Sequence, residues 1–238
     1  MRSSQQQKAV DAVLESLQHA KEQPQHLMLE AVAGAGKTHT LLEIIKEVHA
    51  IHPNAKILLL AFNLEMAQQL SDRLPSDGTS EVHTLHAFGL YLCNENPPPT
   101  DENDTGHAPK RRRRTINVDP DKAYRIWRKI AIGAGTQCSA RNWSAIRTVV
   151  DRFRQEGEEP NHEASSTEMQ VLDHLVRDRH TVDHEDQIYH PVVHRYRLPP
   201  EKWYDLVLVD ESQLSHKKIT LCVGAVRSQD LSSQLLCM

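Results

Sequence analysis

The sequence predicts an α/β fold in which a parallel sheet is interrupted by a small helical insertion. Short, wholly apolar runs alternate with amphipathic segments of helical period, as in strand-helix-strand units whose strands are buried on both faces. A glycine-bearing loop, Ala31-Val-Ala-Gly34-Ala-Gly36-Lys37-Thr38, stands between one such run and the amphipathic segment that follows it. The last apolar run, Leu206-Val-Leu-Val209, ends on Asp210-Glu211 far down the chain. The sheet is therefore resumed after a long excursion.

The elements follow in order. Ala9, Val10, Val13, Leu14 and Leu17 recur at helical spacing over residues 4–20, with Ser3 or Ser4 available as N-cap. His26 to Glu30 reads as a strand, and Thr40 to Val48, with Leu41, Leu42, Ile44, Ile45 and Val48, as a helix with one buried face. The pair repeats after Pro53: Ile57 to Phe62 is a central parallel strand and Leu64 to Leu74 a helix. From Glu95 to Arg114 the composition turns to proline, acid and asparagine, then Lys110 followed by four arginines, with Ala108 the one aliphatic residue. This predicts a flexible loop.

Helical patterns resume over Asp119 to Ile132, where Asp119-Pro120 offers an N-cap and first-turn proline, and again over Ala140 to Phe153 and Thr167 to Val176. Trp127, Trp143 and Trp203 read as core anchors. Tyr204 to Glu211 returns to a buried strand. The expected division is a sheet domain of residues 1–87 and 200–238 and a helical insertion of residues 88–199 carrying the loop 95–114.

Composition narrows the function. The 238 residues hold 28 basic and 32 acidic side chains, a net charge of −4, so an anionic partner must be met locally and not by the whole surface. No apolar run approaches the roughly 18 residues of a membrane helix, and Met1 to Ala20 lacks the apolar centre of a signal peptide. An intracellular chain with no membrane partner is expected. Cys93, Cys138, Cys222 and Cys237 form no C-x-x-C pair, which argues against a disulfide framework or a zinc site. His162, His174, His180, His184, His190 and His194 likewise lack metal-ligand spacing.

The loop from Ala31 to Thr38 matches G-x-x-x-x-G-K-[ST] except for alanine in the first place. Gly34 and Gly36 let backbone N–H groups turn inward around phosphate oxygens, and the helix opening near Lys37 adds the positive end of its dipole. Ala33, Gly34, Ala35, Gly36, Lys37, Thr38 and His39 are the candidate nucleotide-binding residues. Lys37 would reach the β- and γ-phosphates and Thr38 would offer its hydroxyl to Mg²⁺. Asp210 would hold the same Mg²⁺, Glu211 would act as general base on the attacking water, and Gln213 would sense the γ-phosphate. Lys37, Asp210, Glu211 and Gln213 are thus the candidate catalytic set, with ATP and Mg²⁺ as cofactors. More than half the chain separates Thr38 from Asp210, yet both must flank one phosphate.

Taken together these residues resemble the N-terminal half of a superfamily 1 DNA helicase of the UvrD/Rep type, in flavour nearest to the F-box and phage-like helicases. Gln6-Gln-Lys-Ala9-Val10 resembles the Q-motif, whose glutamine contacts adenine, and a phosphate loop beginning with alanine is common in that family. Leu60-Ala-Phe62-Asn63 resembles motif Ia, Thr84-Leu-His86-Ala-Phe88-Gly89 resembles motif Ib, and Asp210-Glu-Ser-Gln213 is similar to D-E-x-Q. His184 to Val193 resembles the segment that leads back into the first domain. The resemblance implies a RecA-like fold for the sheet domain, a family helical insertion for the rest, and 3′ to 5′ translocation on single-stranded DNA. It implies that Phe62 stacks on bases and that Asn63, Thr84 and His86 meet the backbone or sugar. The run Lys110 to Arg114 would meet nucleic-acid phosphate or serve as a nuclear address.

In that family a second RecA-like domain completes the ATP site, and residues 214–238 are too few to supply one. These residues alone are therefore expected to bind ATP and single-stranded DNA without driving unwinding, and the alternative is a catalytically idle ATP- and DNA-binding fragment. The segment Leu214 to Gln229 separates Ser212-Gln213 from Asp230-Leu-Ser and reads either as an extraneous insert or as carrying a closing strand, Ile219 to Val223. A kinase or GTPase is disfavoured because the chain has no N-K-x-D.

Overall fold

The computed structural model describes residues 3–19, 26–28, 34–74, 78–98, 115–157, 166–210 and 234–237. The chain divides into two compact units, Met1–Phe88 with Leu198–Met238, and Gly89–Arg197. In chain order the first unit gives α1 (Ser4–His19), β1 (His26–Met28), α2 (Lys37–Ile51), β2 (Ile57–Ala61), α3 (Leu64–Ser71), β3 (Ser80–Thr84) and the start of α4 (Leu85–Glu95). The second holds the rest of α4, β4 (Asn117–Val118), α5 (Lys122–Gly133), α6 (Ala140–Glu156), α7 (Thr167–Arg177), β5 (Thr181–Val182) and α8 (Asp186–Val193). β6 (Leu206–Val209) and β7 (Gln234–Cys237) return to the first unit.

Its sheet has the order β1-β7-β6-β2-β3, with every neighbouring pair parallel. This is the mixed α/β architecture that the alternating pattern predicted. β2 and β6 are buried along their whole length, which is why Ile57-Leu-Leu-Leu-Ala and Leu206-Val-Leu-Val are apolar at every position and not at alternate ones. Val10 and Val13 of α1 and Leu41, Ile44, Ile45 and Val48 of α2 pack with Ile57, Leu59, Leu206 and Leu208 in one core. Ser3 closes α1 reciprocally with Gln6: the Ser3 backbone N–H donates to Gln6 Oε1 at 2.9 Å and the Gln6 N–H to Ser3 Oγ at 3.2 Å. That is a capping box, and it selects Ser3 over Ser4 as the cap.

Several expectations shift. α2 starts at Lys37, three residues before its apolar pattern, because its first turn, Lys37-Thr-His-Thr40, is polar and Gly36 supplies the left-handed cap at φ 80°. α3 ends at Ser71 and not at Leu74. β3 carries no apolar run; its Ser-Glu-Val-His-Thr, half-buried except for the exposed Glu81, forms a strand by pairing with β2 in full register. The closing strand is β7, inserted between β1 and β6, while Ile219–Val223 lies outside the described residues. Of the loop expected over 95–114, Glu95 closes α4 and residues 99–114, with Lys110–Arg114, lie outside the described residues.

In the second unit α5 begins at Lys122, so Asp119-Pro120 is not its cap. The Asp119 carboxylate accepts from the Asp121 N–H at 3.1 Å and its carbonyl from the Lys122 N–H at 3.1 Å, which makes the pair a turn that precedes the helix. Ser139 and Ser166 do cap α6 and α7, accepting from Asn142 N and Met169 N. Ala123, Trp127, Val150, Met169, Val171, Leu172, Leu175 and Tyr189 form the core. Trp127 is an anchor within it, whereas Trp143 and Trp203 are half-buried. Gly89 of α4 meets α8 so closely that a Cβ there would lie 1.9 Å from the Gln187 carbonyl oxygen.

The same unit buries charge. Lys122 Nζ donates to Asp186 Oδ2 at 2.7 Å and to the carbonyls of Leu175, Asp178 and Thr181. Arg154 grips both oxygens of Asp183, reaches Asp186 Oδ1 at 3.0 Å and holds Asp151 at 2.6 Å. Burial alone pushes the Asp186 carboxyl up, but His190, Lys122 and Arg154 outweigh it and hold the group below the ordinary carboxylate range. Burial and the neighbouring Asp186 push Asp183 up. Burial likewise drives His190 down to about 4; its Nε2–H donates to the Leu175 carbonyl at 2.9 Å. With each carboxylate paired, the network links α5, α6, α7 and α8 in one arrangement.

Candidate nucleotide and nucleic-acid site

Because the five strands of the first unit run parallel, their carboxyl ends share one edge. The register fixes this: Met28 stands opposite Cys237, Cys237 opposite Val209, Val209 opposite Leu60, and Ala61 opposite Thr84. Ligands of open α/β sheets bind outside that edge. Along it the chain delivers the phosphate loop after β1, Asp210 after β6, Phe62 and Asn63 after β2, and Leu85 and His86 after β3.

The loop has the backbone its sequence requires. Gly34 and Gly36 sit at φ 78° and 80°, left-handed conformations that side chains with a Cβ rarely adopt. The Gly36 carbonyl receives both the Thr40 N–H at 2.9 Å and the Thr40 hydroxyl at 3.0 Å. That pins the first turn of α2 to the loop and sets its positive end against whatever the loop encloses. Ala35 and His39 are exposed, and Lys37 and Thr38 half-buried.

Thr38 Oγ1 donates to Asp210 Oδ2 at 3.2 Å across 172 positions of sequence. Asp210 is 2% exposed, and its backbone N–H donates to the Leu60 carbonyl at 2.9 Å, so the strand pairing itself aims the carboxylate. A hydroxyl and a buried carboxylate brought to one point are hard oxygen donors of the kind Mg²⁺ takes, with waters completing its octahedron. The residues present therefore fit the ion. Ala33, Glu211 and Gln213 lie outside the described residues.

Gln6 is drawn to the loop from α1: a Cβ on Gly36 would come within 3.2 Å of Gln6 Nε2. Of the candidate nucleic-acid residues, Phe62 is 46% exposed immediately after β2. Asn63 caps α3, its Oδ1 accepting from Met66 N at 2.8 Å, and Thr84 Oγ1 accepts from Ala87 N at 3.2 Å in the first turn of α4. Capping uses acceptor capacity only; the Asn63 amide hydrogens and the Thr84 hydroxyl hydrogen stay available to donate. His86 is half-buried in the first turn of α4. The sequence reading counted Leu64 only as the first apolar position of a helix, yet it is 75% exposed beside Phe62. An apolar residue one step past an N-cap, outside the buried stripe, was the signal.

This arrangement defines the class: a mixed α/β domain of RecA-like kind, with a glycine loop and Asp210 together at the carboxyl edge of its parallel sheet. A family model described as "Type III restriction enzyme, res subunit" matches residues 1–103. The matched stretch contains Gln6, the phosphate loop, β2 and β3, and it indicates the N-terminal part of a superfamily 1/2 helicase-like P-loop ATPase. Domains of that kind use ATP with Mg²⁺ and act on nucleic acid. No curated protein matches the chain. Among the described residues no helix is long and apolar enough to cross a membrane.

Proposed function

We propose that the chain is the ATP-binding, single-strand-contacting module of a UvrD/Rep-type DNA helicase translocating 3′ to 5′. The observation that carries this reading is the convergence of Thr38 and Asp210 at 3.2 Å beside a glycine loop of left-handed geometry. Thr38 and Asp210 hold the magnesium ion, which when bound neutralises charge on the phosphate oxygens. The backbone of Ala33, Gly34, Ala35 and Gly36 cradles the phosphates, with His39 at the rim and Lys37 donating to the β- and γ-oxygens. Glu211 accepts a proton from the water whose oxygen attacks the γ-phosphorus, and the bond from that phosphorus to the β-bridging oxygen breaks. Gln213 donates to the γ-phosphate, and Gln6 touches the base.

Further along the same edge Phe62 stacks on a base while Asn63, Thr84 and His86 hold the strand backbone. The nucleotide site and the strand site are then joined by β6 and β2, which are adjacent and buried. A motor closes two RecA-like lobes on nucleotide, and the described residues hold one such sheet. The purified 238-residue polypeptide is therefore expected to bind ATP, hydrolyse it slowly and leave duplex DNA intact. The test is ATP hydrolysis with and without a single-stranded oligonucleotide. Stimulation that disappears in Lys37→Ala supports the reading. Calorimetry with no heat from ATP and Mg²⁺, hydrolysis untouched by Lys37→Ala, or robust strand separation by this polypeptide refutes it.

A further inference from the structure

The helical unit concentrates positive charge on one hairpin. In a chain of net charge −4, residues 122–154 hold eight basic side chains and one acidic one. Lys122 and Arg154 are turned into the buried network, and the other six, carried on α5 and α6, are exposed. Arg125 is engaged by Asp119 and Arg147 by Asp151, whereas Arg128, Lys129 and Arg141 pair with no carboxylate among the described residues. Aromatic rings stand among these cations. Tyr124 is 39% exposed and Trp143 half-buried, their centroids 5.6 Å apart at 74°. The buried Trp127 lies 5.6 Å from the first and 5.4 Å from the second, and so holds both rings in place. Arg128 and Arg147 follow Tyr124 and Trp143 by one helical turn, which sets a guanidinium beside each ring.

We propose that this face of the helical insertion is a second single-strand site, where an unpaired base stacks on Tyr124 and Trp143 and Arg128, Lys129 and Arg141 meet the flanking phosphates. One exposed ring, or one exposed arginine, would need no explanation. Two rings braced by a third, inside a local excess of cations on an acidic chain, combine the two features that hold a single strand: stacking and backbone charge. Stacking selects the kind of polyanion. The base faces of a duplex are covered by their neighbours and an acidic peptide has no planar ring to offer, so both would use the cations and leave the aromatic pair idle. The site lies wholly within one unit, apart from the phosphate loop and from Phe62, and its binding needs no nucleotide.

The test uses the full chain carrying Phe62→Ala, which removes the stacking ring proposed for the carboxyl edge. Fluorescence anisotropy of a labelled oligothymidylate of about 10 nucleotides, without ATP, reads what binding remains. In that background binding should persist, Tyr124→Ala should weaken it about tenfold, and Tyr124→Phe, which keeps the ring, should change it less than about twofold. Arg128→Ala with Lys129→Ala removes two phosphate contacts and should lower the slope of log affinity against log salt by about 1.4. Both residues are exposed, and the slope is a quantity that a packing role would not move. Affinity unchanged in Tyr124→Ala, a slope unmoved by the double substitution, tighter binding of a duplex of equal length, or displacement by polyglutamate as effective as by unlabelled oligothymidylate overturns the inference. Loss of all binding in Phe62→Ala also overturns it and leaves the carboxyl edge as the strand site. Parent and Phe62→Ala binding alike, with both sensitive to Tyr124→Ala, supports this inference and refutes the strand contact proposed for Phe62.

Discussion

Replacing Gly89 by alanine sets two effects of known size against each other. Gly89 lies inside α4, where alanine is favoured over glycine by about 1 kcal/mol through backbone entropy. Against this, the new Cβ would stand 1.9 Å from the Gln187 carbonyl oxygen and 2.8 Å from its carbon. A comfortable carbon–oxygen contact is about 3.3 Å, so the helices must separate by roughly 1.4 Å. The obstacle is backbone and cannot rotate away. Neighbouring Asp186 is anchored to Lys122 and Arg154 at 2.7 and 3.0 Å, so α8 cannot recede without loosening a buried ion network. Overpacking of this kind costs about 3 kcal/mol at the upper end of its range, which leaves Gly89→Ala about 2 kcal/mol less stable. For a chain of this size that is a fall in Tm of about 4–8 °C. Urea unfolding followed by the fluorescence of Trp127 and Trp143, both in the affected unit, measures it. A variant as stable as the parent would show that helix propensity governs this position and that the close approach does not.

The buried charges yield two further expectations. Asp186→Asn leaves Lys122 and Arg154 buried with one fewer negative partner and should destabilise the helical unit by about 3 kcal/mol, read as a fall in urea midpoint; an unchanged midpoint would mean the network contributes nothing. His190 is held at about 4, below its ordinary 6.5, because burial disfavours the charged ring. Its contribution is complete above about pH 6.5 and is lost as the pH falls toward about 4, where the unfolded chain binds the extra proton, for a total of about 3 kcal/mol. Midpoints measured between those pH values should slope accordingly in the parent and flatten in His190→Gln, which keeps a donor for the Leu175 carbonyl; parallel slopes would refute the assignment.

The phosphate loop was legible in the sequence because its requirements are local. Two glycines placed where backbone must turn left-handed, then lysine and threonine opening a helix, are dictated by a few consecutive φ and ψ angles. The central strands were legible for a related reason: burial on both faces leaves an uninterrupted apolar run, as at Ile57 to Ala61 and Leu206 to Val209. β3 escaped notice because an edge strand is stabilised by its hydrogen bonds to β2, and pairing leaves no mark on composition. The start of α5 was misplaced by Asp119-Pro120, whose capping chemistry serves a turn just as well. The buried pairs of Lys122, Arg154, Asp183 and Asp186 were invisible for the opposite reason. A charged residue at helical spacing reads as solvated surface until the partner that neutralises it is seen; Asp151 stands three residues before Arg154, but the bonds that bring Lys122 and Arg154 to Asp183 and Asp186 each span at least 29 positions.

Alone, the sequence determined which residues could carry phosphate chemistry and that a parallel sheet would present them, since residue type and short-range periodicity are enough for both. Tertiary structure decided that Thr38 and Asp210 meet, that Gln6 lies against the phosphate loop, and that Asn63 caps a helix. Those outcomes depend on strand register and on which hydrogen-bond partner is nearest, and neither is set until distant segments have packed.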